Sequence, residues 1–406
     1  MTGSSFYSVE KVADGRSGGT TQAETRVYNE RLIVSLVRRN GQLSKADLTR
    51  LTGLAPQTIT TIVNRAAGDG FLLRREPLRG RQGQPSVPYS LNPKAAYSFG
   101  LKIDQRSADL VLVDFVGDVL GFERIEADFP SPSAVMAFAK SAISKLSRRH
   151  RSVSEGRVAG LGIASPFHRL QVSSEKGVTG AWLESWQEVD IRAELDRLFD
   201  WPVYLFNDAL LAAGAELMFG AGLRCADFLY CYIGHTISGG LVLDHHLFPG
   251  RNNRAGDLGR LFHSRSDGGD TLAATALQAG SLDALSSKLD AADAPRILSS
   301  PEDWGDLGQH LDEWIEKGAR DLADASRMAA ALLDIDSVVI DGAMPAAVRK
   351  EVAKATRRRL AWPLADRPEP FTVLEGTFGH RAPVMGGASI SLLVNFSNDK
   401  DLLFKD

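Results

Sequence analysis

The chain has 406 residues, 24% charged and 44% hydrophobic, which is too long for one compact module and excludes disordered, collagen-like and disulfide-scaffold classes. Two cysteines, the lack of an apolar signal-peptide core in residues 1–25 and the lack of any apolar run of about 18 residues point to a reduced, soluble cytoplasmic protein with no membrane segment. The net charge of −3 argues against nucleic acid only as an average, since residues 26–91 hold eleven Arg/Lys against four acids (+7), residues 1–25 carry −1 and residues 92–406 carry −9.

Residues 1–25, rich in Gly, Ser and Thr, are expected to form a disordered tail. In the basic segment 26–91, Val27, Leu32, Ile33, Leu36 and Val37 recur at helical spacing, and Asn40-Gly41 supplies the stop. Ser44 and Asp47 form a capping box for a short second helix that carries Ala46, Leu48 and Leu51 inward. Thr52-Gly53-Leu54 makes a tight turn, and Ala55-Pro56 opens a third helix over about 56–68. On it Ile59, Ile62, Val63 and Ala66 face inward, while Gln57, Thr58, Thr60, Thr61, Asn64 and Arg65 are left outward. Residues 70–73 start a strand, 79–85 loop, and 87–91 return, which makes a hairpin wing.

The basic charge alone is open between a solvated face and a polyanion-binding one, and the periodicities alone also suit a helical dimerisation module. Together they predict a winged helix-turn-helix whose second helix enters the major groove of a double-stranded DNA operator. Gln57, Thr58, Thr60, Thr61 and Asn64 are the candidate base readers, and Arg65, Arg79 and Arg81 the phosphate or minor-groove contacts. Ser44, Arg74 and Gln84 complete the candidate DNA-binding set.

After Asn92-Pro93 the pattern changes to strand-type runs at 97–103, 108–115 and 119–125, then a helix over 133–148 with Val135, Phe138, Ala139, Ile143 and Leu146 on one side. Residues 158–163 form a buried strand, and 203–206 form another that ends at Asn207-Asp208 before a helix over 209–219. Further strands at 228–233, 240–243, 338–340 (ending at Asp341-Gly342) and 371–374 precede a terminal helix from about Ala382. This alternation describes an α/β domain over 92–406 with its cleft beyond the strand termini.

The order of winged helix, Leu161-Gly-Ile-Ala-Ser-Pro166, Asn207-Asp208, Gly234-His-Thr-Ile-Ser-Gly-Gly240 and Ala255-Gly-Asp-Leu-Gly259 resembles the ROK family (repressors, open reading frames, kinases), over about residues 26–400. The resemblance implies a two-lobed, actin-like, sugar-kinase-like (RNase H-like) domain behind the winged helix. It also implies a sugar-responsive transcription factor, usually a repressor, that works as a homodimer or tetramer.

The family's kinases carry Asp-x-Gly-Gly-Thr where this chain has Lys102-Ile103-Asp104-Gln105-Arg106, so backbone is not free to approach a phosphate there. The 234–240 loop has His235 and Ser238 where the family usually has Thr and Gly. Asp208 matches the family's catalytic base. A base without a phosphate cradle argues against an enzyme, and no cofactor is expected. Asn207 and Asp208 read either as contacts to sugar hydroxyls or as caps of the following helix. Asp257 keeps the charge of the family's Gly-Glu-x-Gly-His motif, and Arg260 stands at its histidine, either in the pocket, where it suits an acidic or phosphorylated sugar, or pointing outward or paired with Asp257. A third family carboxylate falls near Ala273.

The zinc loop of the family has no counterpart, because residues 261–277 offer only His263 and Asp267-Gly268-Gly269-Asp270, while Cys225 and Cys231 lie upstream. No metal is therefore expected. The leading expectation is a carbohydrate-controlled regulator with an effector at Asn207, Asp208, Asp257 and Arg260. The alternatives are an active ATP-dependent carbohydrate kinase with a DNA-binding domain, and a regulator with a vestigial cleft controlled by a protein partner.

Overall fold

The computed structural model describes residues 22–77, 86–150, 153, 156–165, 178–260, 280–361 and 371–398. The chain divides into two compact units. One holds residues up to Ile163, Gln171–Leu205 and Gly387–Asp406; the other holds Ala164–Leu170 and Phe206–Gly386.

The first unit opens with helix α1 (Gln22–Asn40), strand β1 (Gln42–Ser44), helices α2 (Lys45–Thr52) and α3 (Pro56–Gly68), and strands β2 (Leu72–Arg74) and β3 (Pro88–Leu91). α1 begins at Gln22, inside the stretch expected to be tail. Its buried positions are Glu30, Arg31, Ile33, Val34 and Val37, so Val27, Leu32 and Leu36 turn out half-buried. The three strands form an antiparallel sheet in the order β1-β3-β2, with Leu43 opposite Tyr89 and Leu73 opposite Ser90. β1 is too short and too close to the second helix for a period-2 pattern to announce it.

Ile33, Val37, Leu48, Ile59, Val63 and Phe71 close the core of this part with almost no exposure. On α2 only Leu48 is buried: Ala46 is exposed and Leu51 is 47% exposed, against the inward positions expected of them. An eight-residue helix has room for one buried stripe, and Leu48 fills it.

The same unit continues with β4 (Tyr97–Ile103), β5 (Ser107–Asp114), β6 (Val119–Glu126), α4 (Pro132–Arg149), most of β7 (Val158–Ser165), α5 (Val178–Gln187), α6 (Ile191–Asp196) and the start of β8 (Val203–Asn207). They make a five-stranded sheet in the order β6-β5-β4-β7-β8, antiparallel from β4 to β6. α4 buries Val135, Ala139, Ala142, Ile143 and Leu146. The compact units do not divide at Asn92, where the composition changes. Asn92 instead ties the two textures together: its backbone N–H donates to Phe71 O (2.9 Å) and its Nδ2 to Gly70 O (2.7 Å).

The second unit contains α7 (Asp208–Phe219), β9 (Phe228–Ile233), β10 (Ile237–Leu243), β11 (His246–Leu247), α8 (Leu282–Ser286), α9 (Asp293–Ser299), α10 (Gln309–Leu333), β12 (Ser337–Gly342), α11 (Ala346–Leu360), β13 (Thr372–Glu375) and the start of α12 (Ala382–Phe396). Its sheet runs β11-β10-β9-β12-β13, with β12 parallel to both β9 and β13. β10 begins at Ile237, where Ile237, Ser238, Gly239 and Gly240 pair with Ile233, Tyr232, Cys231 and Tyr230. The expected 234–240 loop is therefore a short turn at 234–236 followed by strand. Apolar Ile237 and the small glycines accept a two-sided packed position, which periodicity alone did not separate from loop. No helix among the described residues is long and apolar enough to cross a membrane.

Candidate nucleic-acid interface and ligand site

α3 is positioned by its buried face. Ile59, Ile62, Val63 and Ala66 pack inward, and Pro56 sits in its first turn, where the missing N–H costs nothing. Gln57, Thr60, Thr61 and Asn64 are thereby held in solvent on one helix, with Thr58 half-exposed beside them. Thr61 Oγ1 donates back to Gln57 O (3.0 Å), and Asn64 Oδ1 accepts from Lys45 Nζ (2.8 Å). Lys45, at the start of α2, is the residue that the sequence reading left out of this face. Its signal was its place directly after the Ser44 cap, where a turn of α2 must pass close to α3.

Two expected contacts also make bonds within the fold. Ser44 is buried and caps α2: its Oγ accepts from Asp47 N (3.1 Å) and donates to Asp47 Oδ2 (2.6 Å), while Ser44 N donates to the same oxygen (3.2 Å). Those hydrogen bonds hold the Asp47 carboxyl below the usual carboxylate range. Arg65 reaches back to α1, where its Nη1 lies 2.6 Å from Oε1 of Glu30, a carboxylate only 1% exposed. Arg26 approaches the same oxygen at 3.9 Å. A buried charge must be paired, and Glu30 claims Arg65 for that purpose. Arg74 is exposed at the end of β2; Arg79, Arg81 and Gln84 lie outside the described residues.

In the second unit, Asn207 is buried and serves as the N-cap of α7, with Oδ1 accepting from Ala209 N (3.1 Å) and Leu210 N (3.4 Å). Asp208, half-buried, accepts from Ala209 N (2.8 Å) and places its charge in the first turn, where the helix dipole favours it. Both residues thus bond the start of α7, Asn207 as its cap and Asp208 through the same Ala209 N–H. Asp257 is half-buried, and the side chain of Arg260, like His263, Asp267, Asp270 and Ala273, lies outside the described residues.

The structure does bring the α7 start and the 254–260 segment together, through Gly240. A Cβ on Gly240 would meet Ala213 Cβ at 2.7 Å and Ala209 O at 3.0 Å. One on Gly256, which takes φ 72°, would meet the Gly240 backbone at 2.9 Å. Only glycine at both positions lets these segments close on β10.

The two hairpin tips that would hold phosphates are tied within the chain, one by an ion pair and one by a histidine–carboxylate hydrogen bond. Lys102 Nζ lies 2.7 Å from Asp104 Oδ2, and His235 Nδ1 lies 2.8 Å from Asp283 Oδ1 on α8. A further acidic centre went unrecognised in the sequence. Asp341, fully buried at the end of β12, accepts from Gly342 N (2.9 Å), Gly379 N (3.0 Å) and Tyr230 OH (3.2 Å) and pairs with Arg349 Nη1 (3.3 Å). Burial pushes its carboxyl up, and Arg349 opposes that shift. Glu216 on α7 is also fully buried and accepts from Ala221 N (2.8 Å) and Thr377 Oγ1 (3.1 Å). Cys231 is buried and Cys225 accepts from Ser337 Oγ (3.1 Å).

A family model described as ROK family matches residues 99–393. The chain belongs to the ROK family. Among its relatives, the uncharacterized protein y4fQ of Sinorhizobium fredii is 24% identical over 331 residues, which is 80% of this chain and 81% of that one. The xylose repressor of Bacillus spizizenii is 22% identical over 240 residues, covering 59% of this ROK chain and 62% of the repressor's own length. A crystal structure of a ROK family transcriptional regulator, described as a homologue of the E. coli MLC protein, superposes over 93% of this chain and 98% of that chain at a TM-score of 0.60 and 17% identity. The ROK hexokinase of Thermus thermophilus covers 72% of this chain and 97% of its own at a TM-score of 0.53 and 21% identity. Both likenesses are likenesses of fold: an α/β architecture shared by ROK regulators and ROK sugar kinases.

Proposed function

We propose that this ROK protein is a sequence-specific DNA-binding transcriptional regulator, a repressor of carbohydrate uptake or metabolism genes, whose DNA affinity is set by a sugar or sugar-derived effector. The observation that carries this reading is the outward row Gln57, Thr60, Thr61 and Asn64 on a helix whose opposite face is buried. Side chains with both donors and acceptors, held in solvent on a rigid helix, suit base edges in a major groove. α1 to α3 with the three-stranded sheet β1-β3-β2 form the winged helix of this reading, with the β2–β3 hairpin as wing. One such helix reads half a site, so the protein acts as a homodimer or tetramer on a pseudo-palindromic operator.

The effector, in this reading, contacts Asp208 and Asp257, with Asn207 holding the α7 start in place and Arg260 completing the site. The xylose repressor among the relatives supports a carbohydrate as the ligand class. The kinase alternative draws on Asp208 and on the hexokinase fold. Against it stand the Lys102–Asp104 ion pair and the His235–Asp283 hydrogen bond, which tie both turns to the chain's own side chains. A regulator that uses its cleft for no ligand is separated by ligand-induced stabilisation, which Asp208→Ala abolishes only if the cleft binds.

The deciding experiment enriches duplexes from a random pool with the purified full chain, then measures affinity across salt. A palindromic consensus and a steep loss of affinity with salt are expected. Failure to enrich any sequence rejects the reading, and turnover of ATP on a sugar panel replaces it with the kinase.

A further inference from the structure

The C-terminal end of α3 is gripped by a residue of the first five-stranded sheet. The helix closes in a Schellman turn: Phe71 N donates to Ala66 O (2.8 Å) and Gly70 N to Ala67 O (3.1 Å), with Gly70 at φ 81°. Asp69, within that turn, accepts at its carbonyl oxygen from Arg157 Nη1 (2.9 Å). The same guanidinium lies 4.9 Å from the centroid of the Phe71 ring. Arg157 directly precedes β7, and its own carbonyl accepts from Tyr97 N at the start of β4 (2.8 Å). One residue therefore joins the last turn of α3, through its side chain, to the sheet, through its backbone.

Arg38, near the end of α1, makes the mirror arrangement. Its Nη1 donates to Phe115 O (2.8 Å) and its guanidinium lies 4.8 Å from the Phe115 centroid. Between the two cations Phe71, Phe115 and Phe396 form a buried triad with centroids 5.0 to 5.9 Å apart. The triad packs the α1–α3 part on the sheet, and the Arg157 contacts add a polar hold at the end of α3.

We propose that Arg157 is a positioning residue for DNA recognition: by holding Asp69 O and the Phe71 face at once, it fixes the orientation in which α3 presents Gln57, Thr60, Thr61 and Asn64. This rests on the DNA-binding reading. The grip is not needed for the core of the helical part, which Ile33, Leu48, Ile59 and Val63 close without it. It is not needed for the helix end either, which the Schellman turn satisfies. What it adds is orientation, and a planar fork that donates and stacks together is a task lysine cannot take over. A cation at a helix C-terminus also suits the dipole.

The test compares wild type, Arg157→Ala and Arg157→Lys in the full chain, on the duplex that the wild type enriches from a random pool. The readouts are affinity across salt and hydrogen exchange at residues 69–71. Arg157→Ala is expected to weaken binding about 10-fold with an unchanged slope of log Kd against log salt, and to speed exchange at those amides. Arg157→Lys, which keeps the stem and charge and so preserves the fold if alanine does not, is expected to recover little of the loss. Wild-type affinity and exchange in Arg157→Ala would overturn the proposal. A slope smaller by about 0.9 together with rescue by lysine would also overturn it, since that is the signature of a phosphate contact. If the wild type enriches no duplex, the DNA-binding reading fails and takes this inference with it; a wild type that binds beside an Arg157→Ala variant that binds equally rejects the inference alone.

Discussion

On α3, Gln57, Thr60, Thr61 and Asn64 stand in solvent, whereas at the ends of β8 and β12 the comparable polar residues, Asn207 and Asp341, are buried. The first set makes few bonds within the fold; the second is saturated by it. Asn207 takes the first N–H groups of α7, and Asp341 gathers two backbone N–H groups, a tyrosine hydroxyl and an arginine. The difference teaches how to read a polar residue near a site. A side chain is available to a partner in proportion to what its own backbone surroundings leave undone, and strand ends and helix starts leave much to be done.

Substitutions turn that contrast into numbers. Asp341→Ala should be the most damaging, at about 4 kcal/mol in equilibrium urea unfolding, because it leaves the nearly buried Arg349 and several donors uncompensated. A loss under about 1 kcal/mol would mean that this acid is not structural. Arg65→Ala should cost about 3 kcal/mol by leaving Glu30 buried with weaker compensation. If Arg65 is a structural residue as its pairing indicates, the salt slope of DNA binding stays at the wild-type value; a slope smaller by about 0.9 would return it to the DNA face.

Gln57→Ala should cost about 2 kcal/mol in affinity for the enriched duplex and relax the preference at one base pair, with stability within about 0.5 kcal/mol of wild type. An equal loss on all sequences would show that the residue only meets the backbone. The finest comparison pits neighbours against each other. Asn207→Ala should lose about 1 kcal/mol of thermal stability through its cap, whereas Asp208→Ala should change stability by no more than about 0.5 kcal/mol. Equal effects would erase the distinction drawn between cap and contact.

How much of this was legible in the sequence differs by element. α3 was readable almost to the residue, since Pro56 marks its start and Ile59, Ile62, Val63 and Ala66 repeat at its period. The Ser44–Asp47 capping box was likewise local and legible. α1 was read only in part: Glu30 and Arg31 belong to its buried stripe, and a charge is assigned to solvent unless its partner, thirty-five residues away for Glu30, is known. The same limit hid Asp341, whose partners come from β9, α11 and the segment at Gly379. At the candidate ligand site the sequence offered cap and contact as alternatives for Asn207 and Asp208 and could not choose, because both residue types serve either task.

By itself, then, the sequence determined what is local: helix periods, caps, the glycine turns, the basic segment 26–91 set against an acidic remainder, and the ordered motifs that resemble the ROK family. Those follow from interactions within a few residues or from composition. Tertiary structure decided which charges are spent inside the fold: Arg65 on Glu30, Arg349 on Asp341, Arg157 on the end of α3. It also decided that the change of composition at Asn92 is not a boundary between compact units, because Phe71, Phe115 and Phe396 bury one another across it. The physical reason is common to all these cases. Burial of a charge or an aromatic ring is rewarded or penalised by whatever the chain brings against it from afar, and that neighbour has no trace in the local pattern.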